Sequence, residues 1–112
     1  MPGAVAAKLD SIRDKTGVRG NEFAGLVGAT QQTISRWRQG RVDPQPSNLN
    51  RLLTLDWLAS ELAEFYAPDD ARVWLFSRNR MLQGASPAER IQQDRIDDVL
   101  ALIDQLKSGA YV

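Results

Sequence analysis

Apolar residues along this chain recur at spacings of three and four. No segment alternates at period two, so the pattern predicts helices and no β-sheet. Val5, Leu9 and Ile12 line one face of a first helix over 5–15, which Thr16 and Gly17 close. Asn21 is expected to cap a short second helix with Phe23, Ala24, Leu26 and Val27 on its apolar face. Gly28 then stands where the chain must turn sharply. Thr30 is expected to cap a third helix over 31–39 that turns Ile34 and Trp37 inward. The stretch RVDPQPS, 41–47, holds two prolines and reads as a rigid, extended linker that sets the spacing between two halves. A longer helix over 48–66 carries Leu49, Leu52, Leu53, Trp57, Leu58, Leu62 and Phe65 as a broad apolar stripe. Pro68 opens a short helix through Phe76, and Ser86-Pro87 has the N-cap and first-turn pattern of another. The last helix, over 95–107, directs Ile96, Val99, Leu100, Ile103 and Leu106 inward and stops at Gly109. The expected fold is all-α. Trp37, Trp57 and Trp74 lie on apolar stripes and are expected in the core rather than at a contact surface.

The segment from Glu22 to Gly40 has the spacing of a helix-turn-helix. The small residue Ala24 permits a close, steep helix crossing. Gln31, Gln32, Ser35 and Arg36 are left facing away from the core, and glutamine can pair bidentately with adenine in the major groove. GLVGATQQTISRWRQG resembles the Xre/Cro-repressor type of helix-turn-helix. That resemblance implies that Thr30, Gln31, Gln32 and Arg36 occupy base- and phosphate-contacting positions. Arg38 is expected to contact phosphate without reading sequence.

Composition narrows the chemistry. With 112 residues, 43% of them hydrophobic and 25% charged, the chain suits one compact unit or two very small subdomains sharing a core. It contains neither Cys nor His, so thiol nucleophiles, His-based general bases, Ser-His-Asp triads and most zinc sites are out of reach. The carboxylate pairs Asp69-Asp70 and Asp97-Asp98 are adjacent on helices and point apart, which suits solvated faces better than catalysis. An enzyme is not expected, and neither a cofactor nor a metal. The N-terminus lacks a basic region before an apolar stretch, and no apolar run is long enough to span a bilayer. The expected setting is therefore the cytoplasm, with no membrane partner.

Net charge is zero, but it is unevenly spread. Residues 1–46 hold seven basic and four acidic side chains, a surplus of +3. Residues 47–112 hold seven and ten, a balance of −3. The basic part is the one with the helix-turn-helix, as phosphate contact requires. So small a surplus implies weak binding by a monomer, and a homodimer reading two half-sites of operator DNA is expected. Residues 1–46 are thus read as the DNA-binding region, and 47–112 as a helical region facing another partner.

That second region carries its own pattern. Trp74-Leu75, Asn79, Leu82, Gly84, Pro87, Val99, Ile103, Gly109 and Tyr111 reproduce, in order, the features of one known domain. These are a Trp-Leu helix, an Asn-x-x-Leu-x-Gly segment, a Pro-led short helix and a final helix ending Gly-x-Tyr. The region resembles the C-terminal domain of Xre/MbcA/ParS-type antitoxins, with Ile91 standing where the pattern often has Leu. The resemblance implies an antitoxin that neutralises a RES-domain, NAD-consuming toxin, binds its own operator, and dimerises through C-terminal helices. The expected toxin-binding residues are Arg78, Asn79, Arg80, Gly109, Tyr111 and Val112. For Asn79 and Gly84 the alternative is that they only shape a turn. Tyr111 and the Val112 carboxylate are expected either to enter the toxin's substrate cleft or to pack on their own helix. For the whole chain, the alternative is a plain Xre-type repressor without a toxin.

Overall fold

The computed structural model describes residues 2–109, and several of its helix boundaries follow from local capping chemistry. The elements are α1 Pro2–Thr16, α2 Gly20–Val27, α3 Gln31–Arg38, α4 Pro46–Ala63, α5 Pro68–Phe76, a 3₁₀ turn Arg80–Leu82, α6 Pro87–Gln92 and α7 Ile96–Ser108. No strand occurs among the described residues. Thr16 ends α1 by donating to the Ile12 carbonyl at 2.6 Å and accepting from the Val18 N–H at 3.3 Å. Gly28 takes φ 81°, and its N–H closes α2 on the Ala24 carbonyl at 2.8 Å. A side chain at that position would be strained by the positive φ and would also meet the Arg51 guanidinium.

Four boundaries differ from expectation by two residues or more; one is the end of α4, which falls at Ala63 rather than at Tyr66. The first helix starts at Pro2 rather than at Val5. Arg19, not Asn21, occupies the N-cap of α2, because Gly20 is already helical; Asn21 falls in the first turn and turns its side chain to α3. The fourth helix starts at Pro46, whose fixed φ suits a first helical turn, so the connection shrinks to residues 41–45.

That connection does not hold two bodies apart. Helix α1 lies along α4 and also meets α3 and α5, while α6 packs on α2, α5 and α7. One continuous core gathers Leu9 and Ile12, Phe23 and Leu26, Ile34 and Trp37, Leu55 and Leu58, Leu75, Ile91, and Val99 and Ile103, with every α-helix contributing. Polar ties reinforce it. Arg51 on α4 donates to the Leu26 carbonyl at the end of α2 and to Asp94 beside α6, at 3.3 and 2.7 Å. Gly25 leaves room for the Gln92 amide, which a Cβ would meet at 3.0 Å. Helix α2 is therefore seated on α4 and α6 of the C-terminal half.

The expected stripe on α4 is only half covered. Leu52, Leu58 and Leu62 are buried, and Leu55 and Ala59 join them. Leu49, Leu53, Trp57 and Phe65 are 39–45% exposed, so Trp57 is not a core residue. The physical reason is that α4 carries two adjacent apolar stripes, and its packed neighbours cover one of them. Trp37 is buried, and Trp74 is partly buried against Tyr66, ring centroids 6.4 Å apart.

Candidate functional site

Two surfaces carry the polar residues singled out by the sequence. The first is the exposed face of α3. Thr30 caps that helix, its Oγ1 accepting from the Thr33 N–H at 3.1 Å and donating to Thr33 Oγ1 at 2.9 Å. Ile34 and Trp37 anchor the helix on the core, which leaves Gln31, Gln32, Ser35 and Arg36 exposed together. Gln31 is engaged by Asn21, whose side-chain oxygen accepts from it, and Ser35 Oγ accepts from Gln39 at 3.4 Å. Arg38 is half-buried and pairs with Asp10 on α1, holding that carboxyl below its usual range. The structure thus brings the six residues into one region, but in three conditions. Gln32 and Arg36 present side chains to which no recorded hydrogen bond belongs; Gln31, Ser35 and Arg38 are held by neighbours; Thr30 is used as a cap.

Sequence reading passed over two cations here. Arg19 precedes α2 and Arg41 follows α3; both are exposed and neither makes an ion pair among the described residues. Their charge is visible in the sequence. That Lys8 and Arg38 are occupied by Asp56 and Asp10, while these two are not, is visible only in three dimensions.

The second surface is the turn between α5 and α6. Asn79 Oδ1 accepts from the Met81 N–H at 2.9 Å and so caps the 3₁₀ turn. The Asn79 carbonyl accepts from Leu82 and Gly84, each at 3.0 Å, and the Asn79 N–H donates to the Ala85 carbonyl at 3.0 Å. Leu82 is buried, and Gly84 adopts φ 86°, which favours glycine. Ser86 then caps α6 in a reciprocal box with Glu89, and hydrogen bonding from the Ser86 N–H holds the Glu89 carboxyl below its ordinary range. Asn79, Leu82, Gly84 and Pro87 are accordingly the frame of this turn. Arg78, Arg80, Met81 and Gln83 are what it exposes, and no ion pair is recorded for Arg78 or Arg80 among the described residues.

Gly109 ends α7 with φ 73°, its N–H on the Leu106 carbonyl. Tyr111 and Val112 lie outside the described residues. A cavity of about 270 Å³ opens between the turn and α7, lined in part by Met81, Gln83, Arg90, Arg95 and Asp98. Among the described residues no group of acidic side chains gathers as a metal site, and no helix is long and apolar enough to cross a membrane.

The helix pair α2–α3 seated on a helical C-terminal half defines the class of fold: all-helical, with a helix-turn-helix arrangement built into one shared core. Residues 62–109 match the model of the antitoxin Xre/MbcA/ParS C-terminal toxin-binding domain. Over 108 residues, 96% of both chains, the sequence is 35% identical to the mycobacterial cidal antitoxin MbcA of Mycobacterium tuberculosis. It is 30% identical over 96 residues to a probable mycobacterial cidal antitoxin of the same organism, covering 86% of this chain and 82% of that one. The fold matches a chain in the crystal structure of the M. tuberculosis MbcT–MbcA toxin–antitoxin complex with a TM-score of 0.79, at 36% identity and 96% coverage of both. The chain belongs to the Xre/MbcA/ParS antitoxin family.

Proposed function

We propose that this chain is the antitoxin of a type II toxin–antitoxin pair. It binds and neutralises a RES-domain, NAD-consuming toxin and represses its own operon through α3. The observation that carries the reading is the match to MbcA in sequence and fold over nearly the whole chain, since the matched structure is a complex of that antitoxin with MbcT. The exposed face of the α5–α6 turn, with Arg78, Arg80 and the Asn79 frame, is the toxin-facing surface. Gly109, Tyr111 and Val112 belong to a tail that enters or covers the toxin's substrate cleft. Gln31, Gln32, Ser35 and Arg36 read operator DNA, and Thr30 sets the helix that carries them. The chain works in the cytoplasm as a regulator rather than an enzyme. It acts as a homodimer within a larger complex, and the apolar groove of Leu53, Trp57 and Leu100 is the face a second copy covers.

Growth of a host expressing the adjacent gene, alone and with this chain, tests the reading, with intracellular NAD followed in both. Arrest and NAD loss with the neighbour alone, both reversed by this chain, are expected. A harmless neighbour would sink the toxin reading and leave a plain repressor. Removing residues 109–112 is expected to weaken neutralisation; unchanged neutralisation would exclude that segment from the toxin site.

A further inference from the structure

Arg90 is a charged residue with only 9% of its surface exposed, and none of the roles above uses it. It projects from α6 into the space between the α5–α6 turn and α7. Its Nη2 donates to the Leu82 carbonyl at 2.7 Å and to Gln83 Oε1 at 3.0 Å. Its Nη1 donates to Asp98 Oδ2 on α7 at 2.6 Å, an oxygen that also forms an ion pair with Arg95, 3.0 Å from its Nε. One planar group therefore holds a backbone carbonyl and a side chain of the turn against a carboxylate of the last helix. Gln83, the residue it holds, takes φ 56°, a conformation that a non-glycine residue rarely adopts unless its surroundings enforce it.

A buried ion pair is a poor device for stability alone, because an apolar residue of similar volume often serves as well or better. What an apolar residue cannot do is bond the Leu82 carbonyl and fix the backbone of an exposed turn. The neighbours of that carbonyl in the chain are Met81 and Gln83, both exposed, with Arg80 one residue further. We infer that Arg90 is a positioning residue for toxin recognition: through Leu82, Gln83 and Asp98 it holds Arg80, Met81 and Gln83 in their binding geometry before the partner arrives. Ordering that turn in advance removes a cost that binding would otherwise bear. The inference rests on the toxin-facing role proposed above for this turn.

The test uses the full chain and its cognate toxin, reading complex dissociation together with amide hydrogen exchange of the free antitoxin. Arg90→Met is expected to speed exchange at residues 82–85 while leaving α1–α3 unchanged. Dissociation is expected to quicken by about tenfold or more, since an unfixed turn must be ordered on binding. Arg90→Lys should fall between, because one ammonium reaches the carbonyl or Asp98 but not both with the same geometry. Arg80→Ala is the control for the underlying role. If it and Met81→Ala leave dissociation unchanged, the turn does not meet the toxin and the proposed role fails. If they weaken the complex but Arg90→Met, with a loosened turn, dissociates at the native rate, positioning by Arg90 is overturned. Should Arg90→Met fail to fold, Gln83→Ala and Arg90→Lys carry the same comparison. Faster exchange at the turn with native dissociation overturns the inference there too.

Discussion

Arg72 on α5 grips the carboxylate of Glu22 on α2: Nε and Nη2 donate to Oε1 at 3.0 and 2.8 Å, and Nη2 also donates to Oε2 at 2.9 Å. The pair joins the first helix of the helix-turn-helix to the C-terminal half. Both side chains are nearly half exposed, so screening limits the effect. A double-mutant cycle with Arg72→Ala and Glu22→Ala, measured by urea unfolding, should give a coupling of about 0.2–1 kcal/mol that shrinks with added salt. A coupling of zero at low salt would show that the geometry contributes no stability.

The shared core predicts how the chain unfolds. Leu9 in α1 and Ile103 in α7 are both fully buried, in different halves. Truncating either to Ala should cost about 2–5 kcal/mol and shift one common transition. Far-ultraviolet circular dichroism and tryptophan fluorescence should trace the same curve. Two separate transitions would mean that the halves fold independently.

On α3, Gln32 makes no hydrogen bond among the described residues, whereas Gln31 is held by Asn21. On operator DNA, Gln32→Ala and Gln31→Ala should each cost about 1–3 kcal/mol if the contact is bidentate, and relax base preference. Asn21→Ala frees Gln31 and should alter affinity without touching a base. Footprints unchanged in both glutamine variants would remove α3 as the reader. Thr30→Ala should act through folding, costing about 0.5–2 kcal/mol of stability as a lost cap.

Acid should loosen α6. The Glu89 carboxyl is held below its ordinary value of 4.5 by the Ser86 N–H that donates to it. A depressed folded pKa means the contribution is complete above the ordinary value and is lost as pH falls through the folded one. Glu89→Gln should therefore flatten the pH dependence of stability below about pH 4.5. Lys107, raised by its hydrogen bond to Glu61, behaves in the opposite sense, its contribution lasting to high pH and fading as pH rises through the raised value. An acid limb equally steep in the Glu89 variant would contradict this assignment.

Self-association has its own marker. Leu53 and Trp57 are the large exposed apolar side chains beside Leu100. Leu53→Asp should shift sedimentation toward the monomer without changing helix content. A variant that sediments like the native chain would remove this groove as a face for a second copy.

Local signals in the chain carried most of the helices. Thr30 and Ser86-Pro87 name their own caps, Gly28 its own turn, and Phe23, Ile34 and Trp37 their own inward face, because each depends on residues within one or two turns. The motif Asn79-x-x-Leu82-x-Gly84 was legible as a pattern. Its physical meaning, a capped and self-bonded turn, needed the hydrogen bonds. The role of Arg90 carried no periodic signal at all, since its partners sit on a turn and on another helix.

By itself, then, the sequence determined that the chain is helical and, to within a few residues, where each helix lies, because capping and helical periodicity are short-range. Tertiary structure alone decided which of two stripes on α4 is covered, leaving Trp57 outside. It decided which residues of the two halves meet in one core, and that Arg38 is paired while no ion pair involves Arg36 among the described residues. Those outcomes depend on helices brought together from distant parts of the chain. Spacing along one helix cannot say which neighbour will cover it.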